Sequence, residues 1–301
     1  MIYSTLKNWI QASRPKTLLA GLSPVLLGSA YAFSEGTFLL LTFIATLFSA
    51  IFIQIGTNLV NDYYDFKKGA DTASRKGPTR VTQAGLISPK HVKLGFYTCF
   101  ILAFIIGLYL MYIGGIPIII IGLSSLLFAY MYTGGPFPLG YKGLGDIFVF
   151  AYFGPIAVAG TSYLQTLTFS INAVVLGFIP GLLSVAILTV NNLRDSNEDA
   201  LVDKKTLVVR FGNTFGKIEY TIMIVFSLLV PFYLSSFGNP ILSFNTIFIG
   251  SLSLLGIFSL MLIKSIWSKT GSDLNPYLGK TALFLIIYTV IITLSFFTYT
   301  T

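Results

Sequence analysis

Asn58-Leu59-Val60-Asn61-Asp62-Tyr63-Tyr64-Asp65-Phe66-Lys67-Lys68-Gly69-Ala70-Asp71 is the stretch that decides how this 301-residue chain is read. It follows directly on a long apolar run and sets three aspartates within ten residues, although the whole chain holds only 11 acids. A second stretch echoes it: Asn191-Asn192-Leu193-Arg194-Asp195-Ser196-Asn197-Glu198-Asp199, continuing to Asp203. Seven of the 11 acids lie in these two places. Charge concentrated beside apolar segments has to be offset by something.

The surrounding composition supplies the setting. The chain is 54% hydrophobic and 10% charged, with a mean hydropathy of +0.81, whereas soluble domains carry about 25% charged residues. Nine apolar segments can be marked, at about 17–34, 38–61, 94–113, 115–133, 146–165, 171–192, 219–236, 243–263 and 280–299. Most approach the roughly 20 residues needed to cross a bilayer as a helix. The expected fold is an all-α polytopic membrane protein, a bundle of nine transmembrane helices forming a single domain over 1–301. The runs are continuous rather than alternating, which excludes a transmembrane barrel. Leu6, Trp9 and Ile10 among Lys7, Arg14 and Lys16 predict a short helix lying at the membrane interface. The start has no apolar core of the secretory kind.

All 19 Lys and Arg fall before span one or between spans two and three, four and five, six and seven, and eight and nine. By the positive-inside rule that side is cytoplasmic, with the N-terminus inside and the C-terminus outside. The net charge of +8 is thus topological, and a nucleic-acid partner is not expected. Both aspartate clusters lie on the cytoplasmic side, where spans two and six end, in loops of about 62–93 and 193–218. Asn58-x3-Asp62 and Asn191-x3-Asp195 hint at a two-fold-like repeat that would bring these ends together.

Residues three or four apart share a helix face, so Asp62 and Asp65 are expected to project together, as are Asp195, Asp199 and Asp203. Carboxylates at a helix C-terminus face the negative end of its dipole and call for a cation. The lone Cys99 and lone His91 leave only oxygen ligands. That favours Mg²⁺, which is held by a few carboxylates together with substrate phosphates. The expected metal ligands are Asp62, Asp65, Asp195 and Asp199, with Asp71 and Asp203. Arg75, Lys76, Arg80, Arg194, Lys204 and Lys205 could hold phosphate charge, and Asn58, Asn61 and Asn192 add neutral donors. No phosphate-cradling glycine loop of the P-loop type is present.

These motifs resemble the paired aspartate-rich motifs of the UbiA superfamily of intramembrane aromatic prenyltransferases. The resemblance covers nearly the whole chain. It implies magnesium between the clusters, a polyprenyl diphosphate bound through it, and an aromatic acceptor inside the bundle. Arg14-Pro-Lys-Thr17, Asn61-Asp-Tyr-Tyr-Asp65 with Gly69 and Asp71, Tyr132-Thr-Gly-Gly-Pro-Phe-Pro138, Asn192-Leu-Arg-Asp195 and Lys205-Thr-Leu207 resemble the menaquinone-pathway branch. That branch implies 1,4-dihydroxy-2-naphthoate as acceptor, with loss of CO₂ and diphosphate to give demethylmenaquinol, in a bacterial cytoplasmic (inner) membrane. Four residues after Asp65, where the superfamily commonly has an acid, stands Gly69. Arg14 and Lys16, otherwise topogenic charges, are then candidates for contact with the acceptor carboxylate or the diphosphate, and Tyr132 for the acceptor ring and for cation stabilisation. Asp146, after Gly145, is read as a helix cap.

Other readings make different demands. Other aromatic acceptors, 4-hydroxybenzoate or a haem, would keep the same aspartates. CDP-alcohol phosphotransfer needs an Asp-x2-Asp-Gly run, but Phe66 and Lys67 follow Asp65. A cation-coupled transporter places ionisable groups near the bilayer midplane, whereas these clusters lie at helix ends. The charge asymmetry carries a direct test of orientation. In a Cys99→Ser background, cysteines placed at Ser74 and Ser196 should react with impermeant reagents only after lysis. Labelling of intact cells would invert the topology.

Overall fold

A computed structural model describes residues 2–70, 76–236 and 245–299. The described residues form twelve α-helices and two 3₁₀ turns. They are α1 (Ile2–Ser13), α2 (Pro15–Ser34), α3 (Leu40–Lys67), α4 (Pro89–Met131), α5 (Gly145–Phe153), α6 (Pro155–Thr166), α7 (Ile171–Leu176), α8 (Phe178–Leu201), α9 (Leu207–Phe211), α10 (Asn213–Ser236), α11 (Thr246–Ser268) and α12 (Asn275–Tyr299). The chain is an integral membrane protein. Within the described residues, eight segments are long and apolar enough to cross a membrane.

Eight segments and nine expected spans differ at one place, α4. Its 43 residues would extend about 65 Å as a straight helix, twice the roughly 30 Å of a bilayer core. Gly115 interrupts it with φ 62° and ψ −149°, a conformation open to glycine but not to residues bearing a Cβ. Pro117 then sits in the first turn of the second arm, where its missing N–H costs nothing. The arms double back: the rings of Phe96 and Tyr130 have centroids 6.4 Å apart, although 34 residues of straight helix would separate them by about 50 Å. The segment is a hairpin whose two arms pack against α3 and α6.

The fifth and sixth expected spans are each subdivided. α5 gives way to α6 at Gly154, and α7 to α8 at Gly177. A Cβ on Gly154 would lie 2.6 Å from the Gly177 carbonyl and 2.7 Å from Gly181 Cα. Two backbones therefore cross here with nothing between them. The close crossing sets α5 against α8, which is buried on most of its length among α5, α10 and α12. Outward faces stay apolar, as Ile101, Ile105, Ile116, Leu254, Ile257 and Leu260 show, because lipid satisfies no polar group.

The basic loops gather at one end of the bundle. There Gln11 Nε2 donates to Thr79 O (3.1 Å), Asn275 Nδ2 to Lys76 O (2.8 Å) and Lys217 Nζ to Trp267 O (2.8 Å). At the other end the Leu39 amide donates to Gln165 Oε1 (2.6 Å), and Tyr31 and Ser170 hydroxyls meet at 2.8 Å. α1 lies across the basic end with Leu6 and Ile10 exposed and Trp9 packed by Gly95 and Leu59. Both expected catalytic loops begin later than the sequence suggests, since α3 runs on to Lys67 and α8 to Leu201.

The glycine crossing makes a prediction. A Cβ on Gly181 would meet the Phe150 carbonyl at 2.7 Å, whereas Gly250 has nothing within 4 Å. Gly181→Ala should destabilise the purified protein by about 1–3 kcal/mol through overpacking. Gly250→Ala should be neutral or slightly stabilising. Equal melting temperatures for the two variants would contradict the packing described.

Candidate active site

The basic end opens into a cavity of about 350 Å³. Arg14, Asn58, Asn61, Asp65, Arg80, Tyr132, Asn192 and Lys204 line its polar part, while Val25, Leu110, Ile118, Ile121 and Leu164 line it at greater depth. Leu110 and Ile118 flank the Gly115 bend, about 20 Å along the hairpin from Tyr132. One space thus joins a charged mouth to an apolar slot.

Asp65, Asp195 and Asp199 are 5%, 3% and 6% exposed, and each has its own cationic partner. Asp65 accepts from the Tyr141 hydroxyl at 2.8 Å and lies 3.7 Å from the Arg80 guanidinium. Asp195 receives Arg194 through Nε at 2.6 Å and Nη2 at 2.7 Å. Arg194 is anchored further by Asn191 and Asn275. Asp199 Oδ1 accepts from Lys204 Nζ at 3.1 Å, and its Oδ2 is buried with no hydrogen-bond partner.

Lys204 joins the two clusters. Burial works against its charge, but Asp199, Asp65 and Asp195 together hold its ammonium above the ordinary lysine range. Lys68 completes the patch: its Nζ donates to Thr133 O at 2.8 Å and stands 3.9 Å over the Tyr141 ring. Tyr132 sits between mouth and slot. Asp146, Asp65 and Asp199 all lie near enough to act on its hydroxyl.

Other candidates fall elsewhere. Among the described residues, Asp65 alone of the clustered aspartates lines the cavity, and Asp195 and Asp199 stand behind Asn192 and Lys204. Asp62, also off the wall, does not project with Asp65. Its oxygens accept from the backbone amides of Val81 (3.3 Å) and Thr82 (3.0 Å). A three-residue step turns a helix by about 300°, and the loop takes up the difference. Asp203 lies beyond the end of α8 with φ 55°; its side chain is 83% exposed and pairs with Lys205, so it leaves the face shared by Asp195 and Asp199. Lys205 itself points outward. Lys16 lies against Gly279, and Lys76 and Arg194 line a smaller cleft near Gly271. Asn58 lines the mouth, but its amide is spent on Ser13 O (2.8 Å) and Thr17 Oγ1 (3.0 Å). It thereby fixes Arg14, which donates to Asn58 O at 3.3 Å in a left-handed conformation, φ 52°. Asn61 accepts from Thr133. Asp71 and Arg75 lie outside the described residues.

Sequence reasoning missed Tyr141 and Lys68. Tyr141-Lys142 follows the Gly134-Gly135 turn, but only the fold brings that 3₁₀ turn to Asp65. The cap expected at Asp146 does not form: the N-cap of α5 is Leu144, and no side chain caps this end.

Comparison with known proteins agrees with this geometry. The UbiA prenyltransferase family matches residues 21–287. A 1,4-dihydroxy-2-naphthoate octaprenyltransferase from Haemophilus influenzae is 33% identical, over 98% of this chain and 97% of that protein. The fold is shared with the apo structure of a UbiA homolog from Aeropyrum pernix (TM-score 0.69, 12% identity, 96% of this chain and 99% of that one). It is also shared with a UbiA homolog from Archaeoglobus fulgidus bound to DMAPP and Mg²⁺ (TM-score 0.65, 15% identity, 95% and 99%). With the paired aspartate helices meeting at one cavity mouth, the chain belongs to the UbiA prenyltransferase family.

Proposed function

We propose that this chain transfers a polyprenyl group from an allylic diphosphate to 1,4-dihydroxy-2-naphthoate at the cytoplasmic face of a bacterial inner membrane, releasing CO₂ and diphosphate. The relative from Haemophilus influenzae carries that acceptor in its name. The observation that carries the reading is the Lys204 ammonium held among Asp199, Asp65 and Asp195 at the mouth of a slot that turns apolar with depth. Such a space receives a diphosphate at one end and an isoprenoid tail at the other.

The donor set fits Mg²⁺. Its groups are carboxylates and amides without sulfur or imidazole, and Asp199 Oδ2 is buried without a partner. Among the described residues no group of three acids is placed to hold a metal ion by itself, but Mg²⁺ needs only one or two carboxylates when substrate phosphates and waters complete its octahedron. Asp65 and Asp199 would hold it, with Asp195 and Asn192 beside them. Bound there, Mg²⁺ would neutralise the diphosphate leaving group.

The chain's own residues do the rest. Arg80 and Lys204 line the mouth and would meet the leaving group with fixed positive charge, with Lys68 adding to the field from outside the cavity, which favours ionisation of the allylic C–O bond. Asp62 holds the amides of Val81 and Thr82 and so aims Arg80. Tyr132 offers an aromatic face to the allylic cation. Arg14, fixed by Asn58, receives the acceptor carboxylate. The enclosed slot keeps water from capturing the cation.

Chelation should abolish activity of the purified protein, and Mg²⁺ should restore it. Asp65→Ala and Asp199→Ala should each lower turnover by about two orders of magnitude or more, with membrane insertion intact; near-normal rates in both would sink the site. Arg14→Ala should raise the acceptor KM about tenfold, as expected for losing about 1.5 kcal/mol of charged hydrogen bonding, and leave the diphosphate KM unchanged. Loss of diphosphate affinity alone would instead place Arg14 at the leaving group. Prenylation of 4-hydroxybenzoate but not of dihydroxynaphthoate would change the acceptor and keep the family.

A further inference from the structure

Asp146 is an acid in the cavity wall with no part in the chemistry above. It sits in the first turn of α5, 7% exposed, and lines the cavity beside Tyr132. Its Oδ1 is buried without a hydrogen-bond partner. An acid in a first helical turn is favourable to the helix dipole, but an exposed carboxylate would serve that purpose as well. Burying a carboxylate oxygen unpaired is costly, so a reason beyond the helix is needed. Its position supplies one. The Tyr132 hydroxyl reaches the backbone of Gly145, 3.1 Å from where a Cβ would stand, and Asp146 contributes to the field at that hydroxyl. Behind it, Glu219 of α10 is also buried, accepts from Thr189 Oγ1 at 3.2 Å, and lies near enough to feel the charge of Asp146. Asp146 is therefore a buried acid in the cavity wall beside Tyr132, next to the space that the proposed acceptor ring would fill.

We propose that Asp146 takes a proton from the acceptor's hydroxyl as the ring attacks, and returns it once CO₂ has left. The inference rests on the acceptor reading given above. In that reaction the O–H bond next to the carboxylate-bearing carbon breaks, and its proton passes to the Asp146 carboxylate. The oxygen pair forms a carbonyl, and a ring π pair forms the new bond to the allylic carbon, whose C–O pair departs with diphosphate. The quaternary β-keto carboxylate then loses CO₂. The freed pair rebuilds the ring as an enolate, and Asp146 returns the same proton to its oxygen. No net proton, oxidant or reductant is required, so one enclosed carboxylate closes the cycle without solvent.

The test uses purified full-length protein, dihydroxynaphthoate and a prenyl diphosphate. Asp146→Asn, which preserves shape, should lower kcat by roughly 100- to 10,000-fold, the usual range for a general acid–base, while the prenyl diphosphate KM stays within about twofold. Asp146→Glu should retain part of the rate, and added formate should restore turnover to Asp146→Ala. An Asn variant within about threefold of wild type in kcat overturns the proposal. So does an Ala variant that formate cannot rescue when Glu is as inactive as Asn, the result of a purely structural carboxylate. Wild-type protein that fails to prenylate dihydroxynaphthoate at all overturns the acceptor reading, and this inference with it.

Discussion

Lys204 is the side chain on which the working end of the bundle is built, its ammonium 3.1 Å from Asp199 Oδ1 and within the fields of Asp65 and Asp195. Two helices, α3 and α8, end here with buried carboxylates facing the negative ends of their own dipoles. Removing such charges from water costs several kcal/mol each unless they are paired and hydrogen-bonded. The loops are shaped by that demand. The segment after α3 returns Arg80 to Asp65, the segment after α8 returns Lys204 to Asp199, and Tyr141 reaches from the 3₁₀ turn at Leu139–Tyr141 to Asp65. Protein cations hold the carboxylates in place ahead of the metal and diphosphate that the proposed chemistry brings.

The apolar part of the molecule serves the same end. Doubling α4 back at Gly115 brings Tyr130 and Tyr132 to the aspartates, while Leu110 and Ile118 on either side of the bend line the slot. The Gly154–Gly177–Gly181 crossing draws α5 against α8 and so sets Asp146 at the cavity wall. A charged mouth and a long lipid-like slot follow from two backbone features that only glycine allows. A water-soluble substrate would have no use for such a slot; a diphosphate on an isoprenoid chain does.

Much of this was legible in the sequence, and what was not has physical causes. Apolar length and one-sided lysines and arginines fix the class of fold, because lipid enforces them residue by residue. Pairing of the two aspartate stretches was legible because so few acids occur elsewhere. Which face each aspartate takes was not: Asp62 and Asp65 obey the same helical spacing, yet the amides of Val81 and Thr82 claim one and the cavity the other. Asp203 was grouped with its neighbours on a helix that ends two residues earlier. Asp146 read as a cap because local sequence shows only the helix start, whereas its role depends on α10 and the loop bearing Tyr132. Tyr141 and Lys68 carry no signal of their own until the hairpin brings their loops together.

The central claim is that Asp65 and Asp199 jointly hold a divalent cation under a prenyl diphosphate. Electron paramagnetic resonance of Mn²⁺, substituted for Mg²⁺ in the purified protein, reads that directly. The account predicts that Mn²⁺ binding is strengthened by a prenyl diphosphate and is lost in an Asp65→Asn/Asp199→Asn double variant that remains folded. Undiminished Mn²⁺ binding by the double variant would contradict it.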